Sequence, residues 1–204
     1  MPLALLLFHE AHLYEKYFDI TYDTAKLAQA DLVVFPGGGD WSPHYYGKVP
    51  HRYTSFHHNT DAMQMAVARE AVARKKKIAG HCRGAQLLCI LNGDKLVQHV
   101  SHHHGSHDIT TKDGEEYLVN SIHHQMMIPT KNYELIAWSK ERRSTCYETT
   151  DMLGGIENVY MEKEPEVVYF KDINGLAVQW HPEWMDPNSA GYKYYKKLIE
   201  EYLI

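Results

Sequence analysis

The segment Gly80-His81-Cys82-Arg83-Gly84-Ala85-Gln86 constrains the fold of this chain more than any other. A short segment, Lys77 to His81, leads into it, and Gly84 to Leu91 reads as a helix. Cys82 therefore sits on a strand-to-helix turn. Small residues two before and two after it let the strand and helix approach closely around a strained backbone. The rest of the first half repeats the same grammar. Leu3 to Phe8 and Leu32 to Phe35 are short, continuous apolar runs and are predicted as buried strands. Asp61 to Lys75 carries Met63, Met65, Ala66, Val67, Ala71 and Val72 without Pro or Gly and is predicted as a helix. The basic run Arg74-Lys75-Lys76-Lys77 is expected to close that helix at its C-terminus. Strands alternating with helices imply an α/β fold, a three-layer sandwich around a mainly parallel sheet.

The second half changes character. Tyr117 to Asn120, Tyr133 to Trp138, Val159 to Met161, Val167 to Phe170 and Leu176 to Gln179 are predicted strands between polar turns. A final helix is expected over Ala190 to Leu203. No repeat or Pro/Ser-rich linker interrupts the 204 residues, so one domain over 1–204 is expected.

Composition narrows the function classes. At 44% hydrophobic and 12% aromatic residues, the chain can bury a sizeable core, which excludes a disordered or fibrous protein. A formal net charge of −5 gives no reason to expect nucleic acid or an anionic membrane as a partner. No apolar stretch has membrane-spanning length. Leu3 to Phe8 lacks the basic flank and cleavage site of a signal peptide. Cys82, Cys89 and Cys146 are too few for a disulfide framework, so a reducing, cytoplasmic setting is expected.

Cys82 has the surroundings of a nucleophile. A helix N-terminus offers partial positive charge and free N–H groups, which favour a thiolate and can hold an oxyanion. Cys89, in an apolar stretch of the same helix, reads as core. A thiolate needs a base and a group to orient that base. Both are available downstream in Val178-Gln179-Trp180-His181-Pro182-Glu183, directly after a predicted strand. Phe35-Pro36-Gly37-Gly38-Gly39-Asp40 follows another strand but lacks the endings of a phosphate loop or a dinucleotide turn. It suits an oxyanion loop, with Gly38 or Gly39 donating alongside the Arg83 N–H.

The combination G-x-C-x-G-x-Q, W-H-P-E and an early glycine-rich loop resembles the class I glutamine amidotransferase-like family. Gly38-Gly39-Asp40-Trp41-Ser42-Pro43 and Val119-Asn120-Ser121-Ile122-His123-His124-Gln125 are similar to its γ-glutamyl hydrolase branch, peptidase family C26. His107-Asp108-Ile109 stands where that branch carries a histidine in a strand. The resemblance implies a flavodoxin-like fold and a triad of Cys82, His181 and Glu183. It also implies an oxyanion hole of Gly38, Gly39 and Arg83 backbone, and a pocket lined by Gln86, His123, His124 and Gln125. His81 departs from the family pattern, which has a small aliphatic residue there, and Cys89 and Gly93-Asp94 depart after the nucleophile helix.

The implied reaction is hydrolysis of a γ-glutamyl amide through a glutamyl thioester, with no cofactor and no metal. A free-standing hydrolase acting on a small γ-glutamyl substrate is the first reading. The second is a glutaminase subunit delivering ammonia to a separate synthetase partner. A third, outside enzymes, is a metal-binding module built on the histidines, with His99, His102, His103, His104, His107, His123 and His124 as possible ligands. No H-E-x-x-H or C-x-x-C spacing accompanies them.

Overall fold

Alternate side chains of the apolar strands point to opposite faces of one sheet, and both faces are covered. The computed structural model describes residues 1–204. In chain order the strands are β1 (Leu3–Leu6), β2 (Asp19–Thr21), β3 (Leu32–Phe35), β4 (Lys77–His81), β5 (Lys95–Val97), β6 (His99–Val100) and β7 (His104–Thr111). They continue with β8 (Glu116–Ile122), β9 (Met126–Ile128), β10 (Tyr133–Ser139), β11 (Tyr147–Thr150), β12 (Ile156–Asn158), β13 (Pro165–Phe170) and β14 (Gly175–Val178). The helices are α1 (His58–Ala73), α2 (Arg83–Leu91) and α3 (Ala190–Tyr202).

Nine strands form the main sheet in the order β2-β1-β3-β4-β14-β13-β10-β7-β8. The block from β2 to β14 is parallel throughout, and the strands beyond it pair antiparallel. Ala4, Leu6, Leu32, Val34 and Ala79 join Tyr195, Leu198 and Ile199 of α3 in one core. Leu5, Val33, Phe35 and Ile78 join Met65 of α1 and Leu87 and Leu88 of α2 in the other. The α/β sandwich with a mainly parallel centre is therefore present, with helices on both faces.

Two local expectations need correction. Val159 to Met161 is not a strand: the strand is one step earlier, at β12, and Val159 only donates its N–H to Tyr147 O at 2.8 Å. The basic run does not simply close α1. The helix stops at Ala73, Lys75 takes a left-handed φ of 55°, and Lys77 already belongs to β4. The polar segment His104–Thr111, which carries little apolar alternation, forms an eight-residue strand through a full ladder with β8. No helix is long and apolar enough to cross a membrane.

Candidate functional site

Parallel pairing of β4 with β14 brings two strand ends together. Val178 lies opposite His81, and Cys82 N donates to Val178 O at 2.8 Å. Cys82, the residue after β4, and His181, three residues after the end of β14, therefore emerge at the same sheet edge. Cys82 has φ 48° and ψ −106°, a conformation L side chains rarely adopt, and α2 starts immediately after it. Such strain concentrates at functional turns.

His181 Nδ1 donates to Glu183 Oε1 at 2.7 Å, and the imidazole stacks on Trp184 at 3.9 Å between ring centroids. The backbone of His181 is gripped from the side. Asn120 Oδ1 accepts from His181 N at 2.9 Å, and Asn120 Nδ2 donates to His181 O at 2.8 Å. Asn120 thus has a positioning task that its place in the sequence does not announce. Gly37 is needed here because a Cβ would lie 2.4 Å from His181 Cε1.

Glu183 has a second partner. His81 Nδ1 lies 3.3 Å from Glu183 Oε2, off line for a good hydrogen bond, while its Nε2 meets Tyr195 Oη at 2.6 Å and Tyr14 Oη at 3.0 Å. The residue that departs from the family pattern is thus a buried wall behind the carboxylate. Nothing in the one-dimensional sequence pairs His81 with Tyr14 and Tyr195.

Cys82, Gly38, Gly39, Asp40, Gln86, His123, His124 and Gln125 share a pocket of about 310 Å³ with Tyr53, Ser55, His57 and Ile122. Every pocket residue expected from the sequence is thereby brought together. Gln86 Nε2 donates to Gln125 O at 3.0 Å, and His123 Nδ1 donates to the same carbonyl at 3.0 Å. His124 Nε2 lies 2.9 Å from Asp40 Oδ1, and this contact raises the histidine above its ordinary value. Asp40, absent from the sequence-derived site, also accepts from Ser55 N at 2.8 Å.

Arg83 does more than present its N–H. Its guanidinium pairs with Asp61 and Gln64 of α1 and lies 3.9 Å over the Trp41 ring. Trp41 Nε1 donates back to Arg83 O at 2.8 Å, and Ser42 N donates to Asp61 at 3.0 Å. This buried latch ties the glycine-rich loop to α1 and α2.

One expectation about Cys82 is reversed. Burial pushes its thiol up to about 12; the Arg83 N–H pulls it down less than burial lifts it, and Glu183, Glu166 and Asp40 add to the rise. Burial therefore favours the thiol over the thiolate, and the mechanism has to move the thiol proton in the reaction itself.

Sequence motifs and site geometry agree with one family. The peptidase C26 family model matches residues 17–183. The chain belongs to the peptidase C26 family. A relative in Lactococcus lactis, provisionally named a glutamine amidotransferase-like protein (YvdE), is 31% identical over 179 residues, spanning 77% of this chain and 67% of that protein. Two solved structures share the fold at 15% identity. One is provisionally described as a GMP synthase subunit from Thermoplasma acidophilum, with TM-score 0.63 over 100% of this chain and 96% of that one. The other is a glutamine amidotransferase of Thermotoga maritima, with TM-score 0.61 over 100% and 86%.

Two buried carboxylates in this C26 chain make stability depend on acid pH. Burial raises Glu183, but its contacts with His181 and His81 outweigh that and hold it well below the carboxylate range. Burial likewise raises Glu164, but His103, Tyr147 and the N–H groups of Arg143 and Ser144 lower it from 4.5 to about 2. A depressed native pKa stabilises the fold fully above the unfolded value and loses that contribution as pH falls through the native one. The carboxylate contribution to the urea midpoint is therefore expected to be complete above about pH 5 and to be lost between about 4.5 and 2. A Glu164→Gln variant should show a shallower fall, and an equally steep one would remove Glu164 from the account.

Proposed function

We propose that residues 1–204 act as one domain that hydrolyses a γ-glutamyl amide through a thioester on Cys82. The observation that carries this reading is Cys82 on its strained turn, lining a polar pocket at the sheet edge where His181 is locked to Glu183. Because Nδ1 of His181 is committed to Glu183, Nε2 is the nitrogen left to exchange a proton with Cys82 Sγ. As Sγ attacks the γ-carbonyl carbon, its proton passes to His181 Nε2. The N–H groups of Gly38 or Gly39 and of Arg83 serve the oxyanion. The tetrahedral adduct collapses as His181 returns the proton to the departing amine, leaving the thioester. Water, deprotonated by the same nitrogen, then releases glutamate and restores the thiol.

Imidazoles and amides from His123, His124, Gln86 and Gln125, with Asp40, give the pocket both donors and acceptors for a zwitterionic glutamyl group. This supports a small γ-glutamyl substrate and a free-standing hydrolase. The second reading is a glutaminase subunit delivering ammonia to a synthetase, favoured by the fold shared with a GMP synthase subunit.

Glutamate release by the purified chain, offered glutamine and a panel of γ-glutamyl amines, separates the two readings. A free-standing hydrolase is expected to turn over at least one γ-glutamyl amine at least about tenfold better than glutamine in kcat/KM, a gap of about 1.4 kcal/mol. Activity confined to glutamine overturns it in favour of the subunit reading.

A further inference from the structure

Behind the pocket wall lies a second cluster that the proposed chemistry does not use. One ring nitrogen each of His103 and His123 and a carboxylate oxygen of Glu166 lie within 4.8 Å of one another, and all three residues are buried. His103 and Glu166 are fully shielded from solvent, at 0% exposure.

The hydrogen-bond chemistry of the cluster leaves lone pairs without donors. Gln125 O can only accept, so His123 Nδ1 must carry the hydrogen of that 3.0 Å bond. A neutral His123 then presents a bare Nε2, which has no partner. Glu166 accepts from His107 Nε2 at 2.9 Å through Oε1, and its Oε2 has no partner. Neither ring nitrogen of His103 makes a hydrogen bond; Glu164 lies 3.4 Å from its Nε2 but off line. Glu164 itself is already satisfied by Ser144 N at 2.8 Å, Tyr147 Oη at 2.6 Å and Arg143 N. Buried polar atoms in such numbers are rarely left unpaired.

We infer that His103, His123 and Glu166 form a binding site for a divalent transition-metal ion, with zinc as its reference ligand. Two imidazoles and a carboxylate are a donor set that suits such ions, and three protein ligands leave a position for water. The surrounding groups have the roles that metal sites require of them. Gln125 O holds the second nitrogen of His123, and His107 holds the second oxygen of Glu166. Zinc–nitrogen bonds of about 2.0–2.1 Å ask for donors closer than the 4.8 Å bound, so binding the ion draws the three side chains together. The ligands come from the turn before β7, the turn after β8 and the strand β13, so no short sequence spacing announces them. Through His123 the ion would brace the wall that carries His124 and Gln125 in the pocket.

The test is metal content and zinc titration of untagged protein in a Cys82→Ala background, which removes thiolate binding at the adjacent pocket. About one zinc per chain is expected after dialysis against zinc and then metal-free buffer, with a rise in Tm on zinc addition. His103→Gln and Glu166→Gln should each weaken zinc binding at least about 100-fold, because outer-shell changes alone cost about 10–100-fold. His104→Gln, on the exposed neighbour, should not change it. Should either ligand variant fail to fold, the stoichiometry and Tm shift of the parent protein still decide. No bound zinc and no Tm shift in the parent overturns the site and leaves the cluster held by protons on His103. Binding that survives His103→Gln or Glu166→Gln overturns it in favour of surface histidines. The readouts are binding and stability, so failure of the metal site and failure of γ-glutamyl hydrolysis are told apart.

Discussion

Cys82→Ala is expected to lower glutamate release by about 10⁴–10⁶-fold, with substrate affinity retained. The size follows from what else could act as nucleophile. Cys89 is fully buried on α2 with its thiol directed to Lys95 O at 3.4 Å, and Cys146 does not line the pocket. Removing one sulfur leaves the oxyanion donors and the glutamyl contacts in place, so residual turnover would reflect binding and electrostatics alone. The fold should tolerate the change, because alanine meets the same φ of 48° that cysteine already occupies and the volume lost is small. The comparison is made by single-turnover and steady-state glutamate assays on protein shown to be folded by circular dichroism. A variant retaining more than about a tenth of the parental kcat would remove Cys82 as the nucleophile.

The same turn shows what a sequence can and cannot disclose. Gly80, Cys82 and Gly84 are legible because a strand, a tight turn and a helix impose residue size at fixed offsets. The pairing of His181 with Glu183 is legible because both lie on one short segment after a strand. Arg83 is readable only as a backbone donor, since its latch to Asp61, Gln64 and Trp41 joins segments whose approach depends on how α1 packs against α2. His81 is readable only as a departure, because Tyr14 and Tyr195 reach it from opposite ends of the chain. The strand His104–Thr111 lacks an apolar alternation because most of its first half faces solvent, and its ladder partner, not its own composition, makes it a strand. The state of the Cys82 thiol is hidden for a related reason. A helix N-terminus is visible in sequence, whereas complete burial beside three carboxylates is not, and burial is the larger effect.

Gly84→Ala is expected to destabilise the fold by at least about 4 kcal/mol, although helix propensity alone predicts a gain of about 1 kcal/mol. The opposing effect is steric. A Cβ at Gly84 would lie 2.3 Å from Phe35 O and 2.8 Å from Phe35 C. Those are backbone atoms of β3, held by pairing with Gly80 on β4, and Phe35 is itself fully buried. The contact cannot be relieved by turning a side chain; α2 must lift from the sheet or the β3–β4 ladder must bend. A closely packed interior transmits such a displacement instead of absorbing it. Gly80 meets Gly84 from the other side, with a Cβ distance of 2.2 Å to Gly84 C, so the pair forms one two-sided contact. Against a total stability of about 5–15 kcal/mol, a loss of this size lowers Tm by about 10 °C or more, or prevents folding. Gly39→Ala is the control, since its Cβ would come no closer than 3.6 Å to Ser55 O and its φ is unexceptional. Differential scanning calorimetry on both variants decides. If Gly84→Ala melts within about 3 °C of the parent, close packing of α2 on β3 is not what requires glycine, and the turn around Cys82 owes its shape to something other than the approach of strand and helix.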